Sequence, residues 1–189
     1  MKKIHYNSPV ILTYFILSFA SLVLGYVTNN ATTQAFFSVY HAPLTNVLTY
    51  VRFFGHVIGH ADFNHFLNNM LLLLVIGPPM EEKYGSGTLL LGIAVTALIS
   101  GLLQFFFFPH SALLGASGIV FMMIMLSSLS GMKEGYIPLT LIFVGVLYIG
   151  QELYSMLFVN DNVANFMHIV GGACGTGFGF LVSRNRFVY

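Results

Sequence analysis

Four polar residues stand in apolar surroundings where a lipid-soluble chain should carry none. Ser117 lies in Gly115-Ala116-Ser117-Gly118, at the opening of a long apolar run. His168 lies in another apolar stretch, and His65 and Asn69 lie four apart in a third. A serine hydroxyl is a weak nucleophile until a base takes its proton. Histidine, with a pKa near neutrality, is the usual base. Ser117 and His168 can supply that pair. Glu152 and Asp161 fall near the external ends of their segments and neither is well placed to complete a triad, so the expectation is a Ser–His dyad. Ser117 begins a helix, where unbonded backbone N–H groups and the positive dipole end gather. Such donors stabilise an oxyanion. Gly115 and Gly118 give a peptide backbone room to approach. His65 and Asn69 share one helical face and can both donate to one developing charge.

Each residue also has a packing reading. A serine between glycines can be a close-contact residue, and a buried histidine or a His/Asn pair can bridge helices. His56 and His60 have the i, i+4 spacing of metal ligands. Asp62 is the only carboxylate nearby and His-Glu-x-x-His is missing, so no metal site is expected. Gly171-x-x-x-Gly175-x-x-x-Gly179 marks one close-packing helix face.

These residues must be held by membrane helices. The 189-residue chain is 57% hydrophobic and 7% charged, whereas soluble domains carry about 25% charge. Its mean hydropathy is +0.83. Such a surface must face lipid. A net charge of +1 gives no sign of nucleic-acid binding, and the lone Cys174 can form no internal disulfide. The expected fold is all-α: a six-transmembrane-helix bundle of one domain, residues 1–189. Its spans fall near 9–27, 62–80, 86–108, 115–132, 136–154 and 165–183. Thr28-Asn29-Asn30 after span one is no cleavage site, so that span should be retained. Lys2, Lys3, Lys83, Lys133, Arg184 and Arg186 then share one side and Arg52 takes the other, which places both termini in the cytoplasm.

Two connections are unusual. The aromatic-rich external loop 28–61 should hold short helices at the membrane interface. The segment Phe105 to Gly118 contains Pro109 and no charge, so the chain should re-enter before span four. Non-helical backbone at that depth must be protein-buried or line a wet cavity. Depths counted from the cytoplasmic helix ends are about 21 Å for Ser117, about 22 Å for His168 and His65, and about 16 Å for Asn69. Three helices running the same way therefore carry their polar residues in one layer.

This combination resembles the rhomboid intramembrane serine proteases, of the compact six-span bacterial GlpG type. The likeness covers about residues 50 to 182. Gly115-Ala116-Ser117-Gly118 matches the family's Gly-x-Ser-Gly, and His168-Ile169-Val170-Gly171 its His-x-x-Gly. His65-Phe66-Leu67-Asn68-Asn69 matches His-x-x-x-Asn, preceded by His56 and His60. Glu81 to Gly85 matches Glu-x-x-x-Gly. The resemblance implies a cofactor-free endopeptidase acting on transmembrane protein substrates in the bacterial inner membrane. Ser117 would be the nucleophile and His168 the base, with His65, Asn69 and the Ser117 N–H as the oxyanion site. Span five would be a lateral gate, and His60, Glu81, Arg52, Gly171 and Gly175 structural. Gly115, Gly118, Phe121 and Met167 would shape or pack the substrate site. The chain departs from the family at Phe121, where a stacking Tyr is frequent, at Val51 before Arg52, where Trp is common, and at Met167, where a small residue is common. With no extramembrane domain expected, the chain reads as a bare catalytic core.

A small transporter or channel with a polar intramembrane site, and an inactive binder of membrane helices, are the competing readings. A transporter should line a continuous path, whereas these polar residues gather toward one face.

Overall fold

The computed structural model describes residues 5–130, 136–158 and 162–184. Lys2, Lys3, Lys133, Asp161 and Arg186 lie outside them, as do the side chains of Glu152 and Arg184. Among these described residues eight helices follow in order: α1 Pro9–Val27, α2 Ala31–Phe36, α3 Val47–Gly55, α4 Phe63–Tyr84, α5 Ser86–Phe107, α6 Ser117–Ser128, α7 Leu139–Phe158 and α8 Asn162–Arg184. No strand occurs among the described residues; Val39 and Leu113 form one isolated antiparallel bridge. The protein is an all-helical, polytopic membrane protein. Side chains such as Leu71 and Val75 on α4, Leu90 and Leu91 on α5, and Val146 and Leu147 on α7 point outward as an apolar coat.

Helices α1, α4, α5, α6, α7 and α8 overlap the segments where spans were expected. Pro9–Val27, Ser86–Phe107 and Val163–Val182 are long and apolar enough to cross a bilayer on length and composition alone. The other three differ for separate reasons. α4 carries His65, Asn68 and Asn69 at one end and Glu81, Glu82 and Lys83 at the other, which lowers its apolar character. It also runs through Pro78 and Pro79 to Tyr84, past the expected end at residue 80. Interior prolines remove helical hydrogen bonds, a loss that neighbouring helices can offset in a membrane bundle. α7 begins three residues later than expected and reaches Phe158.

α6 is short, 12 residues and so about 18 Å. It is apolar around its whole circumference, and Ile119, Met122, Met123 and Leu126 are fully buried. A helix enclosed by other helices has no lipid to span, so it can begin below the surface.

Anchors at both ends fix the directions of the helices. Glu81 accepts from Val10 N at 2.9 Å, Ile11 N at 3.1 Å and Ser86 Oγ at 2.7 Å, which ties α4 to the first turn of α1 and the start of α5. A carboxylate at a helix N-terminus also meets the dipole favourably. At the other end Tyr26 Oη accepts from Phe63 N at 3.0 Å, so α1 and α4 are antiparallel. α6 and α8 form the most extensive helix pair. A Cβ at Gly171 would overlap the Gly118 carbonyl, one at Gly175 the Met122 carbonyl, and one at Gly179 would lie 2.5 Å from Leu129 Cδ1. The glycine stripe predicted from sequence is thus a close-packing seam, backbone to backbone at Gly171 and Gly175, with α6 and α8 parallel.

The two unusual connections are ordered by side chains that pay for their backbone. Residues 28–61 hold α2 and α3, as expected of that loop. Arg52 is buried, donates from Nε to Ala35 O at 3.0 Å and lies 4.5 Å over the Tyr40 ring. The re-entrant stretch 108–116 is held by the Val39–Leu113 pair, by Gly115 N to His56 O at 2.9 Å, and by Gln104. Gln104 is fully buried and donates to Phe108 O at 3.3 Å, Ser111 O at 3.0 Å and Ser111 Oγ at 3.0 Å. That satisfies the requirement that irregular backbone at membrane depth be protein-bonded.

Candidate active site

α4, α6 and α8 all begin at one end of the bundle, and the re-entrant stretch delivers α6 below that end. Between them lies a cavity of about 450 Å³. Ser117, His168, His65 and Asn69 all line it, with Asn68, Ala61, Ala112 and Ala164 among the other walls. The four residues singled out from sequence, carried by three separate helices, therefore meet in one space.

Ser117 is the first residue of α6. No side chain caps this helix, and its first backbone bond runs from Val120 N to Ala116 O at 2.9 Å. The amides ahead of it form the partial positive charge expected of a helix start. Gly115, just before, has φ +130°, which favours glycine alone. A Cβ there would also come within 2.8 Å of His65 Cε1 and Nε2, and 3.9 Å of Ser117 Oγ. Gly115 therefore allows the His65 ring to sit beside the serine.

The tautomer of His65 follows from its neighbour. Ala61 N donates to His65 Nδ1 over a long 3.5 Å, so Nδ1 is an acceptor and the proton belongs on Nε2, the atom facing Gly115. Asn69 donates one amide hydrogen to His65 O at 3.0 Å. That bond fixes the side chain and leaves its second N–H for a guest in the cavity.

His168 is stacked on Phe121, with centroids 4.6 Å apart and planes 9° from parallel. The ring at this position thus packs on the histidine without the hydroxyl the family often carries. Met167 is buried, with its carbonyl facing Gly118, and belongs to the α6–α8 seam.

A second Ser–His pair lies elsewhere. His56 Nε2 is 3.2 Å from Ser100 Oγ, and His56 Nδ1 donates to Arg52 O at 3.0 Å. Both residues are buried and neither lines the cavity. Ser100 also lies 2.8 Å from Thr96 O and 3.1 Å from Ala97 O. With both nitrogens of His56 occupied, the pair joins α3 to α5. Burial pushes the His56 imidazole down to about 4. His60 is likewise pushed down to about 4, chiefly by burial and then by the nearby His65. It donates from Nδ1 to Ile58 O at 3.0 Å and meets the His65 ring edge-on at 5.1 Å.

The sequence reading missed three residues. Gln104 is a lone amide in an apolar helix and Asn68 adjoins Asn69 at the polar end of α4; the rule that intramembrane polar groups need a reason would have flagged both. Tyr148, whose ring meets Phe121 at 5.3 Å and 90°, carries no sequence signal because it reads as one more aromatic in a lipid-facing helix.

Comparison with known proteins identifies the frame that carries these residues. A family model for the rhomboid domain matches residues 48–185. The chain belongs to the rhomboid family. It is also similar to rhomboid-related protein 1 of Caenorhabditis elegans, with 32% identity over 146 residues, 71% of this chain and 40% of that protein. The chain thus spans about two-fifths of the length of that relative. The matched rhomboid region runs from α3 to the end of α8 and includes all four polar residues of the cavity, the re-entrant stretch and the glycine seam. The rhomboid family is one of intramembrane proteases.

Proposed function

We propose that this rhomboid is a serine endopeptidase that cleaves transmembrane helices near the outer membrane face. The observation that carries the reading is the shared cavity of Ser117, His168, His65 and Asn69, drawn from three parallel helices. His168 takes the proton from Ser117 Oγ, which attacks a peptide carbonyl. The Ser117 N–H, His65 Nε2–H and Asn69 amide receive the oxyanion. His168 then gives its proton to the leaving amine, and water entering the cavity releases the acyl-enzyme. The chain acts as one six-span catalytic domain with cytoplasmic termini, in a bacterial inner membrane, and needs no cofactor.

Substrate chemistry follows from the walls. Helical carbonyls are already bonded, so a substrate must unwind to present one. Glycine or proline near the outer end of the target helix makes that unwinding easier. The alanines and glycines around Ser117 favour a small residue before the scissile bond. Toward the other end of the bundle, Met70, Leu73, Met122, Met123 and Leu126 are at most 1% exposed. That filled core speaks against the continuous path a transporter needs.

The test is co-reconstitution in vesicles with two single-span peptides, one carrying Gly-Pro near its outer end and one of uninterrupted leucine. The expected result is one cut in the Gly-Pro peptide, with the leucine peptide intact and no product from Ser117→Ala. Equal cleavage of both peptides, or cleavage that survives Ser117→Ala, refutes the reading.

A further inference from the structure

We propose that Tyr148 is a positioning residue, which holds the His168 ring through Phe121 while α7 is seated on α6. This rests on His168 being the base for Ser117. Thr140 Oγ1 donates to Ser128 O at 3.2 Å, a Cβ at Gly145 would reach Met125 Cε at 3.8 Å, and Tyr148 packs on Phe121. Residue numbers rise along α7 as they fall along α6, so the two helices are antiparallel and Tyr148 is the attachment nearest the cavity. Ile142, Phe143, Val146 and Leu147 on the same helix are exposed. α7 therefore meets α6 along a narrow line, and its more extensive packing is against α8.

Phe121 lies four residues after Ser117, on the same face of α6. Its ring is the flat surface against which the imidazole rests, so its orientation restrains rotation of His168 about the bond to its ring. A phenyl ring can itself turn about its own axis. The perpendicular Tyr148 ring at 5.3 Å blocks that turn. His168 on α8, Phe121 on α6 and Tyr148 on α7 form a three-ring ladder across three helices. Its consequence is that the base is aligned when α7 is home and loosened when α7 swings away. The hydroxyl of Tyr148 plays no part; the ring does.

The experiment follows labelling by a fluorophosphonate in detergent, separating the maximal inactivation rate from the probe's half-saturation across the neutral pH range. The wild type is compared with Tyr148→Phe, Tyr148→Ala and Leu147→Ala, the last changing an outward-facing neighbour. Tyr148→Leu keeps bulk without a flat ring and serves where the alanine variant fails to fold. An aromatic pair contributes about 0.5–1.5 kcal/mol, so loss of the ring slows maximal labelling about two- to tenfold. Half-saturation should stay unchanged, whereas the pH dependence of the maximal rate is altered. Tyr148→Phe restores the wild-type profile and Leu147→Ala never departs from it. An unchanged or faster maximal rate in Tyr148→Ala or Tyr148→Leu overturns the inference, as does an equal loss in Leu147→Ala. A wild type that takes no adduct removes the Ser117–His168 reading itself, whereas a labelled wild type with an unaffected Tyr148 variant removes this inference alone.

Discussion

Replacing Gly171 by alanine adds one methyl group where the two helices of the active site touch. That methyl would overlap the Gly118 carbonyl oxygen and stand 2.9 Å from Gly118 Cα, against 3.4 Å or more for ordinary contact. The obstacles are backbone atoms, so no side-chain rotation relieves them. α6 and α8 must part by about 1 Å at this level, with a stability cost of about 1–3 kcal/mol. Ser117 adjoins Gly118, and His168 lies three residues before Gly171, so the parting acts directly on the reacting pair. Proton transfer needs a heavy-atom separation of about 2.6–3.2 Å, and a misplacement of about 1 Å costs roughly 100-fold in rate. Gly177, on the same helix, has nothing within 4 Å of its would-be Cβ. Gly177→Ala should therefore keep full activity and gain about 1 kcal/mol of helix preference. Initial rates of fluorophosphonate labelling, measured on protein whose folding is checked by thermal unfolding, compare the two variants. The reasoning is refuted if Gly171→Ala labels within about threefold of the wild type, or if Gly177→Ala is equally impaired.

Three other outcomes follow. Glu81→Ala leaves the buried Ile11 N–H and the partly buried Val10 N–H and Ser86 hydroxyl without their acceptor, at about 1–3 kcal/mol for the buried donor before relaxation. Thermal unfolding should fall sharply while the folded fraction still labels at Ser117; equal melting of variant and wild type contradicts this anchor. Because His56 and His60 have folded pKa values near 4, below the usual 6.5, the fold binds fewer protons than the unfolded chain. Stability is then full above about pH 6.5 and lost as pH falls toward about 4, and a melting temperature flat over that window opposes the assignment. Gln104→Leu removes the donor to Phe108 and Ser111, so it should loosen the re-entrant stretch, seen as faster amide exchange at residues 108–116 and slower labelling; unchanged exchange would show that Val39 and His56 suffice.

Sequence alone located what depends on local chemistry and periodicity. Span one was legible at both ends because Pro9 is suited to a first helical turn and Thr28-Asn29-Asn30 ends the apolar run. The re-entrant stretch was legible from Pro109 and its lack of charge, and the α6–α8 seam from three glycines at i, i+4, i+8. The layer containing Ser117, His168, His65 and Asn69 was legible because helical rise converts sequence distance into depth. The rest depends on partners distant in sequence. Nothing near Pro78 and Pro79 shows that the helix runs on to a carboxylate capping α1. The brevity of α6 reflects enclosure by its neighbours, which apolar composition cannot distinguish from a lipid-facing span. His56 looked like a possible ligand because its real partners, Arg52 O and Ser100, become visible only when α3 packs on α5.

The most direct test of the central claim is to map a fluorophosphonate adduct on the purified protein by peptide mass, with Ser117→Ala, His168→Ala and Ser100→Ala in parallel. The account predicts one adduct, on Ser117, lost in the first two variants and retained in Ser100→Ala. An adduct on Ser100, or a folded wild type that takes none, contradicts it.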